Sequence, residues 1–312
     1  MHPRARRSTV VRPCNRQTFV HRNHLLISLI TLLLASANVG ARDFDDVQIS
    51  AAEVTPGLWM LQGAGGNMGL LVGARRALLV DDQYAPLAPR ISAAIAKITD
   101  HPLELLVNTH WHGDHTGGNE WFGGTGAVIV AQEAVRGRLV GSNAPAAALP
   151  AVTFTDPIAL HVGGEEVRIT PVPRAHTDGD AFVLFRSANV MHTGDLFFNG
   201  MYPYIDAGSM GSLQGVIDAQ AAMIEAADSD TQIIPGHGPL ATRADLVSTR
   251  ARLIQVRDAL QPLVEAGMDV ETIVARDPLA QLDLGWDGVS FMDRARFTGV
   301  AAAAMAHQGI DP

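Results

Sequence analysis

Cysteine is almost missing from this chain. The only one, Cys14, lies near the amino terminus in a stretch that reads as a leader, so the remainder carries no thiol. Disulfides and thiolate metal ligands are thereby excluded from the folded part, and an exported chain without disulfides is held together by its core alone. Lysine is equally scarce, with Lys97 the single example. The formal net charge is −9, and it becomes −15 once the six leader arginines are set aside. A polyanion partner needs a basic stripe and none is visible, so nucleic acid is not expected as a ligand. Long apolar runs are missing too: Leu25 to Leu34 falls well short of the ~20 residues a membrane-spanning helix needs.

That short apolar run follows Arg4, Arg6, Arg7, Arg12, Arg16 and Arg22, with no acidic residue among them, and precedes small-residue sites at Ala35-Ser36-Ala37 and Val39-Gly40-Ala41. This is the three-part layout of a secretory signal peptide. Residues 1–41 are therefore expected to be a leader. Residues 42–312 are expected to be a single domain, periplasmic or secreted, without a stable membrane anchor after cleavage. A chain of that length buries roughly three quarters of its surface, which is enough for one large core.

The densest chemistry lies in His110-Trp111-His112-Gly113-Asp114-His115, directly after the β-prone run Leu103 to Asn108. Residues two apart on an extended chain share a face, so His110 and His112 project together, and Gly113, Gly117 and Gly118 let the chain turn Asp114 and His115 back toward them. Three imidazoles and a carboxylate within six residues suit zinc, which takes histidine nitrogen and carboxylate oxygen at ~2.0–2.2 Å. Three further candidates follow apolar β-type segments beside glycine: His176, Asp195 and His237. Seven ligands could hold two ions, with His110, His112 and His176 on one, Asp114, His115 and His237 on the other, and Asp195 between.

These motifs resemble the metallo-β-lactamase superfamily, whose signature is a His-x-His-x-Asp-His loop followed by single His, Asp or Cys, and His ligands. The separations from His112 to His176, Asp195 and His237 in turn are 64, 19 and 42 residues. That spacing is most similar to the dizinc β-lactamases that carry cysteine in the bridging region, whereas Asp195 is the residue used by lactonases and thioesterases of the superfamily. The resemblance implies an αββα sandwich, an α/β fold. The order of elements agrees with it, because strands and helices alternate in two similar runs: strands near 53–61, 68–72, 76–80, 103–108 and 127–131, then 152–155, 158–162, 165–172, 181–186 and 188–192. Helices are expected over 86–98, 133–140, 213–227 and 244–266, and Trp286, Phe291, Met292, Phe297 and Val300 show helical spacing.

Two Zn2+ ions would generate a hydroxide nucleophile and polarise a carbonyl, with Asp114 orienting the nucleophile. The expected enzyme hydrolyses a small-molecule cyclic amide or ester, β-lactamase-type first; a lactonase or a thioesterase like glyoxalase II is the alternative. A non-catalytic metal scaffold is disfavoured because no candidate ligand is missing. Phe198 stands where several β-lactamases of this type carry a lysine for the substrate carboxylate. By the same resemblance Asp81 orients a ligand histidine from behind. Met68, Tyr84, Trp111, Phe198, Tyr202 and Tyr204 are candidate pocket walls, while His192 is expected to be structural and His101, His161 and His307 surface or structural.

Overall fold

The computed structural model describes residues 43–286 and 292–306. The segment expected to be a leader, residues 1–41, lies outside the described residues, as do Phe291 and His307.

Two mixed sheets form the centre. The first runs in spatial order β1 (Ser50–Thr55), β2 (Leu58–Gln62), β3 (Met68–Val72), β4 (Ala77–Val80), β5 (Leu103–Asn108), β6 (Val128–Gln132), β7 (Val152–Phe154). The second contains β8 (Ile158–Val162), β9 (Glu165–Val172), β10 (Asp180–Phe185), β11 (Val190–His192), β12 (Gln232–Ile234) and β13 (Ala241–Thr242), again as neighbours in chain order. Pairing is antiparallel through β4 and parallel from β4 to β7, where α1 (Ala88–Ala96), α2 (Gly113–Thr116), α3 (Asn119–Gly124) and α4 (Glu133–Gly141) make the crossovers. In the second sheet only β11 and β12 run parallel, joined through α5 (Leu213–Ala226).

Strand alternation sets the layers. In β4, Leu78 and Val80 face the second sheet, where they meet Val167, Ile169, Val183 and Ile234, whereas Ala77 and Leu79 face α1 with Leu87, Ile91 and Ile95. In β10, Val183 and Phe185 point to the first sheet, and Phe182 points outward to α5 and the long α6 (Arg243–Glu265). Both faces of both sheets are thus covered, which gives the αββα sandwich. The C-terminal stretch is less continuous than its spacing suggests. It forms α7 (Val270–Arg276) and α8 (Arg294–Ala306), and Trp286 sits in an irregular segment between them, packed on Phe297. No helix among the described residues is long and apolar enough to cross a membrane.

The C-terminal ends of β5, β11 and β12 and the β9–β10 turn all open at one edge of the sandwich. Every candidate ligand leaves the sheets there.

Candidate metal centre

His110 follows β5 directly, and the turn of α2 brings Asp114 and His115 back beneath it. His176 comes from the turn between β9 and β10. Asp195 sits in a 3-10 turn after β11, and His237 follows β12. Two glycines permit this crowding. At Gly194, with φ +50°, a Cβ would lie 2.5 Å from Thr109 Oγ1, and at Gly236 it would collide with Asp195 Oδ1.

The donor atoms form two groups. His112 Nδ1 is 3.2 Å from His110 Nε2 and 2.9 Å from His176 Nε2. Asp195 Oδ2 closes this group at 3.8 Å from His110 Nε2 and 3.5 Å from His176 Nε2. The other oxygen, Oδ1, is 3.1 Å from His115 Nε2 and 3.4 Å from His237 Nε2, while Asp114 Oδ2 lies 3.5 Å from His237 Nε2 and 3.9 Å from His115 Nε2. Each group lies within the span that one metal ion can bridge. Tetrahedral ligands ~2.1 Å from an ion are separated by roughly 3.4 Å, and these spacings bracket that value. His115 Nε2 and Asp195 Oδ1 are moreover fully buried without an aligned hydrogen bond, although such atoms cost free energy when left unpaired. The residues fit metal, and all the donors are nitrogen or oxygen.

A second layer fixes the ring orientations. Asp81 Oδ2 accepts from His115 Nδ1 at 2.8 Å, and the same carboxylate accepts the Thr109 N–H at 2.8 Å and its hydroxyl at 2.7 Å. Thr109 Oγ1 lies 3.1 Å from His110 Nδ1, so it accepts there while donating to Asp81, leaving His110 Nε2 free for metal. His176 Nδ1 donates to Tyr204 O at 2.9 Å. His112 is turned the other way: its Nε2 donates to Asp206 Oδ2 at 3.0 Å, which leaves Nδ1 facing the cluster. Asp206 is held by the backbone N–H of Ser209 at 3.1 Å and by its hydroxyl at 2.5 Å. This buttressing carboxylate is not apparent in the sequence, and neither is Asp180, which accepts the Thr177 N–H at 2.8 Å and its hydroxyl at 2.6 Å beneath His176. Asp81 has φ +59°, a left-handed conformation that aspartate tolerates better than most residues.

Burial and charge oppose each other here. Burial alone raises the Asp195 carboxyl, but the imidazoles of His115, His237 and His110 hold it well below the usual carboxylate range. Burial lowers His115, yet Asp195, Asp114 and Asp81 outweigh it and raise the ring well above its ordinary value. Burial and the neighbouring imidazoles push His110 well down. Burial, opposed by Asp195, brings His176 down to about 4. Three acids around one imidazole make a field that a cation satisfies.

A model of the metallo-beta-lactamase superfamily matches residues 62–239, more than half of the chain, a range that includes all seven candidate ligands. The chain belongs to that superfamily. Its fold agrees with solved members. The metallo-beta-lactamase from Pontibacter korlensis superposes with a TM-score of 0.59 at 18% identity, covering 66% of this chain and 99% of that one. The DIM-1 metallo-beta-lactamase gives 0.59 at 16% identity, covering 67% and 99%. Among curated relatives, the hydroxyacylglutathione hydrolase of Nitrosococcus oceani is 32% identical over 165 residues, 52% of this chain and 57% of that protein. The lactamase-like protein nscB of Arthroderma gypseum is 32% identical over 142 residues, 45% and 41% respectively. This chain therefore spans about half the length of these curated relatives.

Within this superfamily member the expected pocket residues divide. Tyr204 lies 6.1 Å from His112 and 5.9 Å from His176 between ring centroids, and both it and Tyr84 are partly exposed. Phe198 is 2% exposed and stacks on His237 at 5.0 Å, so it backs a candidate ligand. Trp111 packs on Ala131, Val135 and Leu139 beneath the Arg138 guanidinium. Met68 and Tyr202 are corrections. Met68 is fully buried among Leu70, Leu87 and Ile91 because its strand position faces α1. Tyr202 packs on Trp286 and Phe297 in the helical core. His192 is buried, donates from Nε2 to Asn67 O at 3.1 Å and accepts the Gly194 N–H at 3.2 Å, so both ring nitrogens are used structurally. His101 and His161 are exposed.

Proposed function

We propose that this protein is an exported, dinuclear zinc-dependent hydrolase of acyl compounds, namely esters, lactones or thioesters. The observation carrying the two-ion reading is Asp195, whose oxygens face separate imidazole groups, as a bridging carboxylate requires. Metal held there supplies Lewis-acid activation of water and of a carbonyl oxygen.

The chain's own groups define how a substrate meets that chemistry. Asp114, His112 and His237 are the ligands with exposed side-chain surface, 22%, 18% and 17%, so the centre opens on their side. Asp114 orients the attacking water and takes its proton at a carboxylate oxygen. His110, His112 and His176 would hold the ion that polarises the acyl oxygen, and Asp114, His115 and His237 would hold the ion that stabilises the leaving atom. Asp81, Thr109 and Asp206 keep the rings in place throughout.

A β-lactamase reading stays in view because the ligand spacing favours it. Phe198 speaks against it: the ring is buried on His237, so this position offers no cation to a substrate carboxylate. The hydroxyacylglutathione hydrolase relative supports the thioester member of the class. The test is a leader-free, metal-quantified preparation assayed against a β-lactam, a homoserine lactone, a glutathione thioester and a simple ester. Preferential turnover of the β-lactam would reverse the ranking, and turnover of none would remove the hydrolase reading.

A further inference from the structure

Phe44 is an aromatic residue with no part in the machinery described above. It lies in segment 43–49, and its ring sits 5.2 Å from that of Tyr84, tilted by 48°. Tyr84 in turn borders Asp114. A Cβ built on Gly65 would be 3.1 Å from Tyr84 Cε2 and 2.9 Å from Asp114 Cβ, so ring and carboxylate flank the same glycine.

The segment is tied down from beneath. Arg90 of α1 donates through Nη1 to the backbone oxygen of Phe44 and, at 3.0 Å, to that of Val47. The Val47 N–H closes the turn on Phe44 O at 3.1 Å, and Val47 and Ile49 pack on the outer core of the first sheet. Phe44 and Tyr84 pack at the margin of that same core, beside Leu87 and Ile91, which are at 0% exposure. Both aromatic residues remain partly exposed.

We propose that Phe44 and Tyr84 form an aromatic wall that receives an apolar leaving group, and that Arg90 is its positioning residue. The assignment rests on the hydrolase reading, which places the leaving atom at Asp114, His115 and His237. A phenyl or naphthyl group entering there buries area against two ring faces, whereas a methyl or charged group gains little.

The test compares two esters with one acyl group and either a naphthyl or a methyl leaving group, on the metal-loaded full chain. The ratio of kcat/KM for naphthyl over methyl should fall roughly three- to tenfold in Phe44→Ala, the size of one aromatic contact, with metal content retained. Arg90→Ala should reproduce most of that fall. Phe44→Leu, which keeps apolar cover over Tyr84, guards against a folding defect and should also lower the ratio. Fluorescence titration with 2-naphthol reads the wall without turnover and should show several-fold weaker binding in the same variants. An unchanged ratio and unchanged naphthol affinity in Phe44→Ala and Phe44→Leu would overturn the proposal. A wild type that turns over neither ester sinks the hydrolase reading instead, and the naphthol titration still decides the wall.

Discussion

Asp195 is the residue on which both donor groups meet, and its carboxylate uses one oxygen for each. Alanine offers no donor, so Asp195→Ala should lose the ion of the Asp114, His115 and His237 group first and weaken the other. A partner behind a ligand typically costs ~10–100-fold in metal affinity or activity, and a direct ligand should cost at least as much. Asp195→Cys should keep more metal, since thiolate also binds zinc well. Elemental analysis and turnover on one substrate panel check both variants; two retained ions in the alanine variant would remove Asp195 from the ligand set. Asp180 lends itself to a different measurement. Burial, opposed by its bonds from Thr177, pushes its carboxyl up to about 7, so the folded state holds a proton there that the unfolded chain gives up near pH 4. The resulting stability is present at low pH and is lost as pH rises through about 7. Asp180→Asn carries no such proton. Relative to wild type, its unfolding free energy should therefore improve between pH 5 and pH 8, as read by urea titration; a parallel pair of pH profiles would show that Asp180 is already ionised at pH 5.

At the scale of elements, the hairpin loop between β2 and β3 presses on the site with no side chain to spare. A Cβ on Gly66 would collide with His115 Cε1, and that ring is pinned by Asp81 and cannot swing away. Gly66→Ala should thus expel His115 and cost the second group its metal, which elemental analysis would detect as loss of about one ion. Gly137 is the contrast, a glycine inside α4 with nothing within 4 Å of the place a methyl group would take. Gly137→Ala should stabilise by up to about 1 kcal/mol through helix propensity and raise Tm by roughly 2–4 °C, with metal content unchanged. These two glycines also mark what a sequence can and cannot convey. The strands around the site were legible because the apolar, β-prone runs of β4, β5 and β10 are local features, and the ligands were legible because histidine is rare enough to stand out beside a strand end. Asp206 was not, since its partner His112 is 94 residues away in the chain and one aspartate in a loop looks like any other. Met68 failed for a related reason: a turn-adjacent strand residue can face either layer, and only the register of β2 with β3 decides that it faces α1.

For the molecule as a whole, the centre joins two halves that each supply part of it. The first sheet and its helices give His110, His112, Asp114 and His115, and the second gives His176, Asp195 and His237. Hydrogen bonds already cross the same edge, with Asn67 donating to Pro235 O at 2.8 Å and Gly238 O at 2.9 Å, and the Ala181 N–H donating to Thr109 O at 2.8 Å. Metal would add a bond set of a different kind, because Cys14 is the single cysteine of the chain and no disulfide can staple the halves together. Bound ion stabilises the folded state by mass action, about 2.7 kcal/mol when free metal stands at a hundred times its Kd. Chelation should therefore lower the Tm by roughly 5–10 °C, given a shift of roughly 2–4 °C per kcal/mol for a domain near this size. If there are two sites of unequal affinity, calorimetry on protein titrated from zero to two equivalents of Zn2+ should show two successive rises, and Asp195→Ala should flatten the second. A chelated, metal-free sample that melts where the loaded protein does would mean the two sheets meet without help from the centre. It would reduce the seven ligands to a functional device with no share in holding the sandwich together.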